Sequence, residues 1–527
     1  MKKIIIRLTF SFISLGFTGV VFGQVDAKVL NWYNGKGAGM QTEKAYKKLK
    51  SRKTTTVIVA VIDSGIDVEH EDLKGKIWVN TKEIANNGID DDKNGYIDDI
   101  HGWNFLGNAA GQNQNDACLE KTRIYKKLMG KYETMDPNDV SSADTEEYEL
   151  YKKVRKEVRE EREQYEQTLE QMEQLPMLMK MVPEMVKTAI GKSDYTLKDL
   201  ENWKPKTDQD AGIRQFAIAM KNGEITEEVI KEQNDQIKSM LDFNLNADFN
   251  DREFIGDNPY DFNDTKYGNK DVEGPDALHG THVGGIIGAV RGNGLGGDGV
   301  ANDVLLMSLR AVPNGDEQDK DIALAIRYAV DNGASVINMS FGKGYSPNQK
   351  EVYEAFKYAD SKGVLLIHAA GNDAANVDQT DNYPTSMYSF QTEKLNHFLT
   401  IGASTRNPKE NLAANFSNYG QTKVDVFAPG FEIYNSVPQS AYKKLQGTSM
   451  AAPMVAGAAA MLKSYFPSLS MAQIKDVLLK SAKSYKGTKQ HKPGAEDLVD
   501  FGTLSVTGAV IDLYAAAVMC LEMEKTK

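Results

Sequence analysis

Three short stretches of this 527-residue chain carry the residue types needed for nucleophilic acyl transfer. That chemistry requires a nucleophile, a base to take its proton, and a group to orient the base. VIDSGID places Asp63 at the end of an apolar run, HGTHVGGIIGA carries His279 and His282, and GTSMAAPMVAGAAAML carries Ser449. An aspartate can hold an imidazole in one tautomer and stabilise the imidazolium. A serine at a helix start emerges among free backbone N–H groups, where developing negative charge is favoured. Each residue also has an ordinary reading. A single serine before a helix is commonly an N-cap, and His282, within the first turn, reads as a packed structural histidine. A histidine metal pair here lacks an acidic third ligand at zinc-site spacing. Cys118 and Cys520 sit in no motif, so a thiol nucleophile is not indicated, and two unpaired or locally buried thiols are favoured over one bridge.

These residues need a frame, and the flanking sequence supplies one. TTTVIVAVIDSGID, VLLMSL (304–309), ASVINMS (334–340), GVLLIHAA (363–370) and HFLTIGA (397–403) read as buried strands. Between them, 322–332 and 352–362 read as amphipathic helices. Short, nearly all-apolar strands alternating with helices imply a parallel sheet covered on both faces. Right-handed crossovers make it a doubly wound, three-layer αβα sandwich. Asp63 then stands at the carboxyl edge of the sheet, where sites of such folds form. His279 opens a helix whose Val283, Ile286 and Ile287 face inward. Gly447, Thr448 and Ser449 make a tight entry into another, with Pro453 in its first turn, where its missing N–H does little harm.

The remaining texture sets the domain expectations. Lys2 and Lys3, an apolar run from Leu8 to Phe22, and small Gly23 read as a signal peptide over 1–23, so the chain is expected to be exported to the periplasm, cell surface or medium. The first part of the catalytic domain is 24–107 and its remainder, with a C-terminal helix, is 252–527. Between them, 108–251 is a charged, helix-favouring insertion. Tyr151, Val158, Tyr165 and Met172 recur at heptad spacing there, which suits a long amphipathic helix that Pro176 and Pro183 should end or kink. The formal charge of −12 gives no bulk attraction to nucleic acid or anionic lipid. No later stretch is apolar over a membrane-spanning length.

Taken together, the three motifs in the order Asp, His, Ser resemble the subtilase (subtilisin-like serine protease) family. The resemblance implies a secreted endopeptidase that acts through an acyl-enzyme, with Asp63, His279 and Ser449 as its triad, polypeptides as substrates and no cofactor in the chemistry. Further matches extend it. LLIHAAGND assigns Asn372 to the oxyanion hole. INMSFG assigns Ser340, Phe341 and Gly342 to pairing with extended substrate, and NYP (382–384) assigns Tyr383 to a wall of the primary specificity pocket. ANFSNYG and VDVFAPG also follow the family. The resemblance covers 54–105 and about 270–485, and leaves 108–251 out. Two departures stand against it. Asp63 and His279 are 216 positions apart, an excess the insertion explains. The short stretch between Gln24 and Asp63 leaves the family's usual folding pro-domain without a counterpart.

One loop suggests a cation. IDDDKNGYIDD places Asp90, Asp92, Asn94 and Asp98 at alternating positions around Gly95, with Tyr96 as a carbonyl ligand, as in the first part of an EF-hand cage. Position twelve is His101 rather than Glu, and Asp99 is the substitute on hand. Calcium is therefore expected as a structural ion only. A second candidate, implied by the resemblance, is RGNGLGGDG (291–299), with Asn293 as ligand.

Overall fold

The computed structural model describes residues 30–525; the signal peptide read at 1–23 lies outside them. Nine strands form the main sheet: β1 (Val57–Asp63), β2 (Gly102–Asn104), β3 (Val304–Arg310), β4 (Val336–Met339), β5 (Leu365–Ala369), β6 (Phe398–Ser404), β7 (Val426–Pro429), β8 (Lys483–Ser484) and β9 (Ala509–Val510). Their spatial order is β8-β9-β7-β6-β5-β4-β1-β3-β2. Every pairing is parallel except β8 with β9. β1 lies between β3 and β4, with Val57 opposite Val304 and Val59 opposite Val336.

The side-chain period of two sorts β1 between two cores. Val57, Val59 and Val61 enter a cluster with Val283, Ile286 and Ile287 of helix α1 (Leu278–Gly288). Ala60 and Ile62 enter the opposite cluster, with Ile322 and Ile326 of α2 (Asp319–Asp331) and Phe356 of α3 (Gln349–Ser361). Helix α4 (Thr448–Tyr465) lies on the first face, where Met454 and Val455 join the cluster of α1. The result is the expected αβα sandwich. The short strands β2, β8 and β9 were not foreseen, nor was the hairpin of Ile433–Val437 with Ala441–Leu445.

Among the described residues the chain divides into two units, 121–249 and the remainder. Residues 108–120, read from sequence as the start of the insertion, and 250–251, read as its end, thus go with the sheet. The insertion is not a single arm. Helix Thr145–Met172 is 28 residues long, about 42 Å, and buries Tyr151, Val154 and Val158. The long helix stops before Pro176, as expected; the next, Leu175–Ile190, takes Pro176 into its first turn and continues past Pro183, so the chain does not end its helix there. Its Val182 and Val186 are buried in a small core with Leu200, Phe216 and Ile230, which holds the helix together despite the lost hydrogen bond. No helix among the described residues is long and apolar enough to cross a membrane. Cys118 and Cys520 are buried and unbridged.

Candidate active site

β1 ends on Asp63, whose carbonyl accepts from the N–H groups of Ala311 and Val312 at 3.0 and 3.2 Å, so its backbone is fixed from the neighbouring strand. The carboxylate is buried. Its Oδ1 accepts from the Ser64 N–H at 2.8 Å and lies 2.7 Å from His279 Nδ1. His279 is the second residue of α1, and Gly280 behind it allows the approach: a Cβ there would fall 2.1 Å from the Gly65 carbonyl oxygen. The imidazole is 37% exposed, so it faces the open side. Burial alone would lower its pKa, but the adjacent Asp63 carboxylate outweighs this and raises it above its ordinary value. His282 is packed, as expected, with Nε2 at 3.1 and 3.2 Å from the carbonyls of Ile433 and Lys443; burial pushes its pKa down to about 3.

Ser449 occupies the second position of α4, after Gly447, whose φ of 153° permits the sharp entry. Its Oγ donates to the Ser340 carbonyl at 3.1 Å, and no hydrogen bond joins it to His279 in this state. The Ser340 hydroxyl returns the contact to the Ser449 carbonyl at 2.9 Å. Asn372 follows β5. Its Oδ1 accepts from the N–H and hydroxyl of Thr448 at 2.9 and 3.0 Å, which turns Nδ2 outward beside the helix entry; the residue is exposed. Asp63, His279, Ser340, Asn372 and Ser449 thus gather at the carboxyl edge of the sheet.

Phe341 is buried and Gly342 exposed. A Cβ on Gly342 would lie 3.1 Å from the Tyr383 carbonyl oxygen and 3.4 Å from both Asn382 Oδ1 and His368 Nε2. Asn382 and His368 therefore lie beside Gly342 together with Tyr383; both fall within the motifs NYP and LLIHAAGND, whose reading singled out other residues. His368 is buried on β5, with Nε2 3.0 Å from the Phe341 carbonyl oxygen, and desolvation pushes its pKa down to about 4.

The acidic loop differs from an EF-hand cage. Glu83, Asp90 and Asp92 bring carboxylate oxygens within 4.8 Å of one another. Asp98 turns away, accepting from the N–H groups of Asn87 and Gly88 and from Lys270 at 3.0–3.2 Å. The Asn94 amide donates to Asp99, and the Tyr96 ring packs on Trp103 and Tyr328. Glu83, outside the motif, has taken a place in the cluster by chain reversal. The second candidate has a clearer deficit. The Asn293 amide meets Asp72 Oδ1 at 2.6 Å, while the buried Asp72 Oδ2 has no hydrogen-bond partner. An orphaned buried carboxylate oxygen beside an amide fits a hard, oxygen-seeking cation such as calcium.

Comparison with known proteins bears on all of this. The subtilase family model matches residues 54–159 and 192–503, reaching into the insertion from both ends, and the chain belongs to that family. It is 38% identical over 206 residues to a thermophilic serine proteinase of Bacillus sp. (strain AK1), covering 39% of this chain and 46% of that one. It is 36% identical over 218 residues to an alkaline protease of Alkalihalobacillus alcalophilus, covering 41% and 52%. The same identity and length relate it to subtilisin Savinase of Lederbergia lenta, covering 41% and 74%. The matched stretch spans about half the length of the first two relatives.

Proposed function

We propose that this chain is an exported serine endopeptidase that cleaves polypeptides through an acyl-enzyme on Ser449. The observation that carries the reading is the 2.7 Å contact of Asp63 Oδ1 with His279 Nδ1, at the sheet edge that also holds the entry to α4. Family membership and the names of the relatives, serine proteinase and subtilisin, support it. Export rests on the Lys2–Gly23 sequence.

At rest the Ser449 hydroxyl donates to the Ser340 carbonyl. A substrate N–H that claims this carbonyl releases the hydroxyl to His279 Nε2. His279 then takes its proton as Oγ attacks the scissile carbonyl. Asp63 holds the Nδ1 proton throughout and stabilises the imidazolium without becoming protonated. The oxyanion is received by Asn372 Nδ2 and the Ser449 N–H, donors already fixed before reaction. His279 passes the proton to the leaving amine, and water returns the serine by the same route. No cofactor enters these steps. Asp72 and Asn293 would hold a calcium ion whose role is structural.

A serine-directed fluorophosphonate tests the reading. Wild-type protein should be labelled on Ser449 and should cleave peptides, and Ser449→Ala should lose both while unfolding at the same temperature. Labelling at another residue, or equal hydrolysis by the alanine variant, would overturn it.

A further inference from the structure

The segment Ser340–Lys343 continues beyond the carboxyl end of β4, and its two edges are not equivalent. The Phe341 carbonyl is engaged by His368, and the N–H and C=O of Lys343 both pair with Tyr383 at 2.9 Å. Extended backbone turns alternate residues to opposite edges. Ser340 and Gly342 therefore present their polar groups on the other edge. Ser340 meets Ser449 there, and Gly342 is exposed and has no hydrogen-bond partner among the described residues. The usefulness of this edge depends on what holds Lys343.

The Lys343 ammonium is buried, with 2% of its side chain exposed. It reaches Glu120 Oε2 at 2.7 Å, Asp319 Oδ1 at 2.8 Å and the Glu317 carbonyl at 2.8 Å. These three partners come from two parts of the chain, Glu120 from one and Glu317 and Asp319 together from the connection of β3 to α2. Asp319 opens α2 and is itself fixed by the Ser346 hydroxyl and the Asn348 N–H. Glu317 lies on the loop after β3. Glu120 is the last residue before the insertion unit, and its N–H is tied to Asp316 at 2.7 Å. Burying an ammonium and two carboxylates carries a desolvation penalty that an apolar side chain of similar length would avoid. What the charged group supplies instead is direction, since its three N–H donors accept only partners placed around it.

We infer that Lys343 is a positioning residue for extended substrates, and that Glu120 couples it to the root of the insertion. The ion cluster holds the free edge of Gly342 in register with Ser340, so that a peptide lying along both is aligned on Ser449. This rests on the peptidase reading, and the two can fail separately. A substrate that reaches only Ser340 does not use the Gly342 edge.

The test compares kcat/KM for a tetrapeptide anilide with that for a single-residue ester, in the full chain and in Lys343→Met and Glu120→Gln. Displacement of a positioning element by about 1 Å can cost about 10²-fold. The tetrapeptide-to-ester ratio should accordingly fall by about tenfold or more in Lys343→Met and by less in Glu120→Gln, with the rate of fluorophosphonate labelling unchanged. Lys343→Arg should recover part of the ratio. An unchanged ratio, whether both activities persist or both decline together, would overturn the inference. Should Lys343→Met fail to fold, the near-isosteric Glu120→Gln decides by the same ratio. Absence of Ser449 labelling in the parent would instead overturn the peptidase reading itself.

Discussion

Asn372 does two jobs that substitution can separate. On the proposed reading its Nδ2 donates to the oxyanion, while Oδ1 accepts from the N–H and hydroxyl of fully buried Thr448. Asn372→Ala removes both. Loss of the outward donor should lower kcat by about 10²–10³, or about 3–4 kcal/mol, a range that comes from subtilisin itself, to which this chain is related. Loss of the Oδ1 acceptor leaves a buried N–H unpaired and should destabilise the fold by about 1–3 kcal/mol. Asn372→Asp keeps an oxygen for Thr448 but places a second, charged one where the donor stood. It should lose at least as much kcat while unfolding close to the parent temperature. Steady-state kinetics on a tetrapeptide anilide, run beside thermal unfolding of the same samples, reads both effects. The reasoning fails if kcat of Asn372→Ala stays within about threefold of the parent, or if the loss lies in KM alone, since a donor used only in the transition state acts on kcat.

Three further outcomes follow from named groups. Because Asp63 raises His279 above its ordinary 6.5, the acid limb of kcat/KM should have a midpoint above that value. Asp63→Asn should move the midpoint down and lower kcat by about 10⁴, and an unmoved limb would separate His279 from the limb. His282 and His368 are held neutral by burial, at about 3 and about 4. The folded state then binds fewer protons than the unfolded one below pH 6.5, so stability is complete above 6.5 and should fall as pH drops towards 4, by about 3 kcal/mol per histidine; a flat melting temperature over that interval would contradict it. Finally, a chelator should lower the melting temperature, by about 2.7 kcal/mol of lost stabilisation if calcium had been at 100 times its Kd. Asp72→Asn should abolish that response, whereas a response surviving in Asp72→Asn but lost in Asp90→Asn would move the ion to the acidic loop.

What the sequence disclosed depended on how local each cause is. Strands such as VIVAVID and VLLMSL carry their burial in every residue, so the sheet was legible from the residues alone. The GTS entry to α4 was legible for the same reason, because a helix start is written in adjacent residues. Asp72 was not legible: its partner Asn293 is 221 positions away and no local pattern joins them. Spacing alone also misdirected the acidic loop, where Asp98 has the right interval but Lys270, from a distant segment, claims its carboxylate. Pro183 reads as a helix end or kink because propensity is local, while the small core around Val182 and Val186, which carries the helix past it, is not. His368 and Asn382 stand within the motifs LLIHAAGND and NYP, but their nearness to Gly342 comes from contacts between distant segments.

The parallel pairing of β1 with β3 has a consequence in time. Val57 cannot meet Val304 until the intervening chain exists; the Thr56 contact to Asp303 spans 247 positions. At a synthesis rate of about 5–20 residues per second, that is a wait of about 12–50 s for a strand that is apolar on both faces. The 121–249 unit, with its own core, has most of its contacts available during that interval. Helix α4, which brings Ser449, is made later still and packs over the assembled strands. A ribosome-bound fragment that stops short of Ser449 thus carries seven of the nine strands of the main sheet but lacks β8, β9 and, on the proposed reading, its nucleophile.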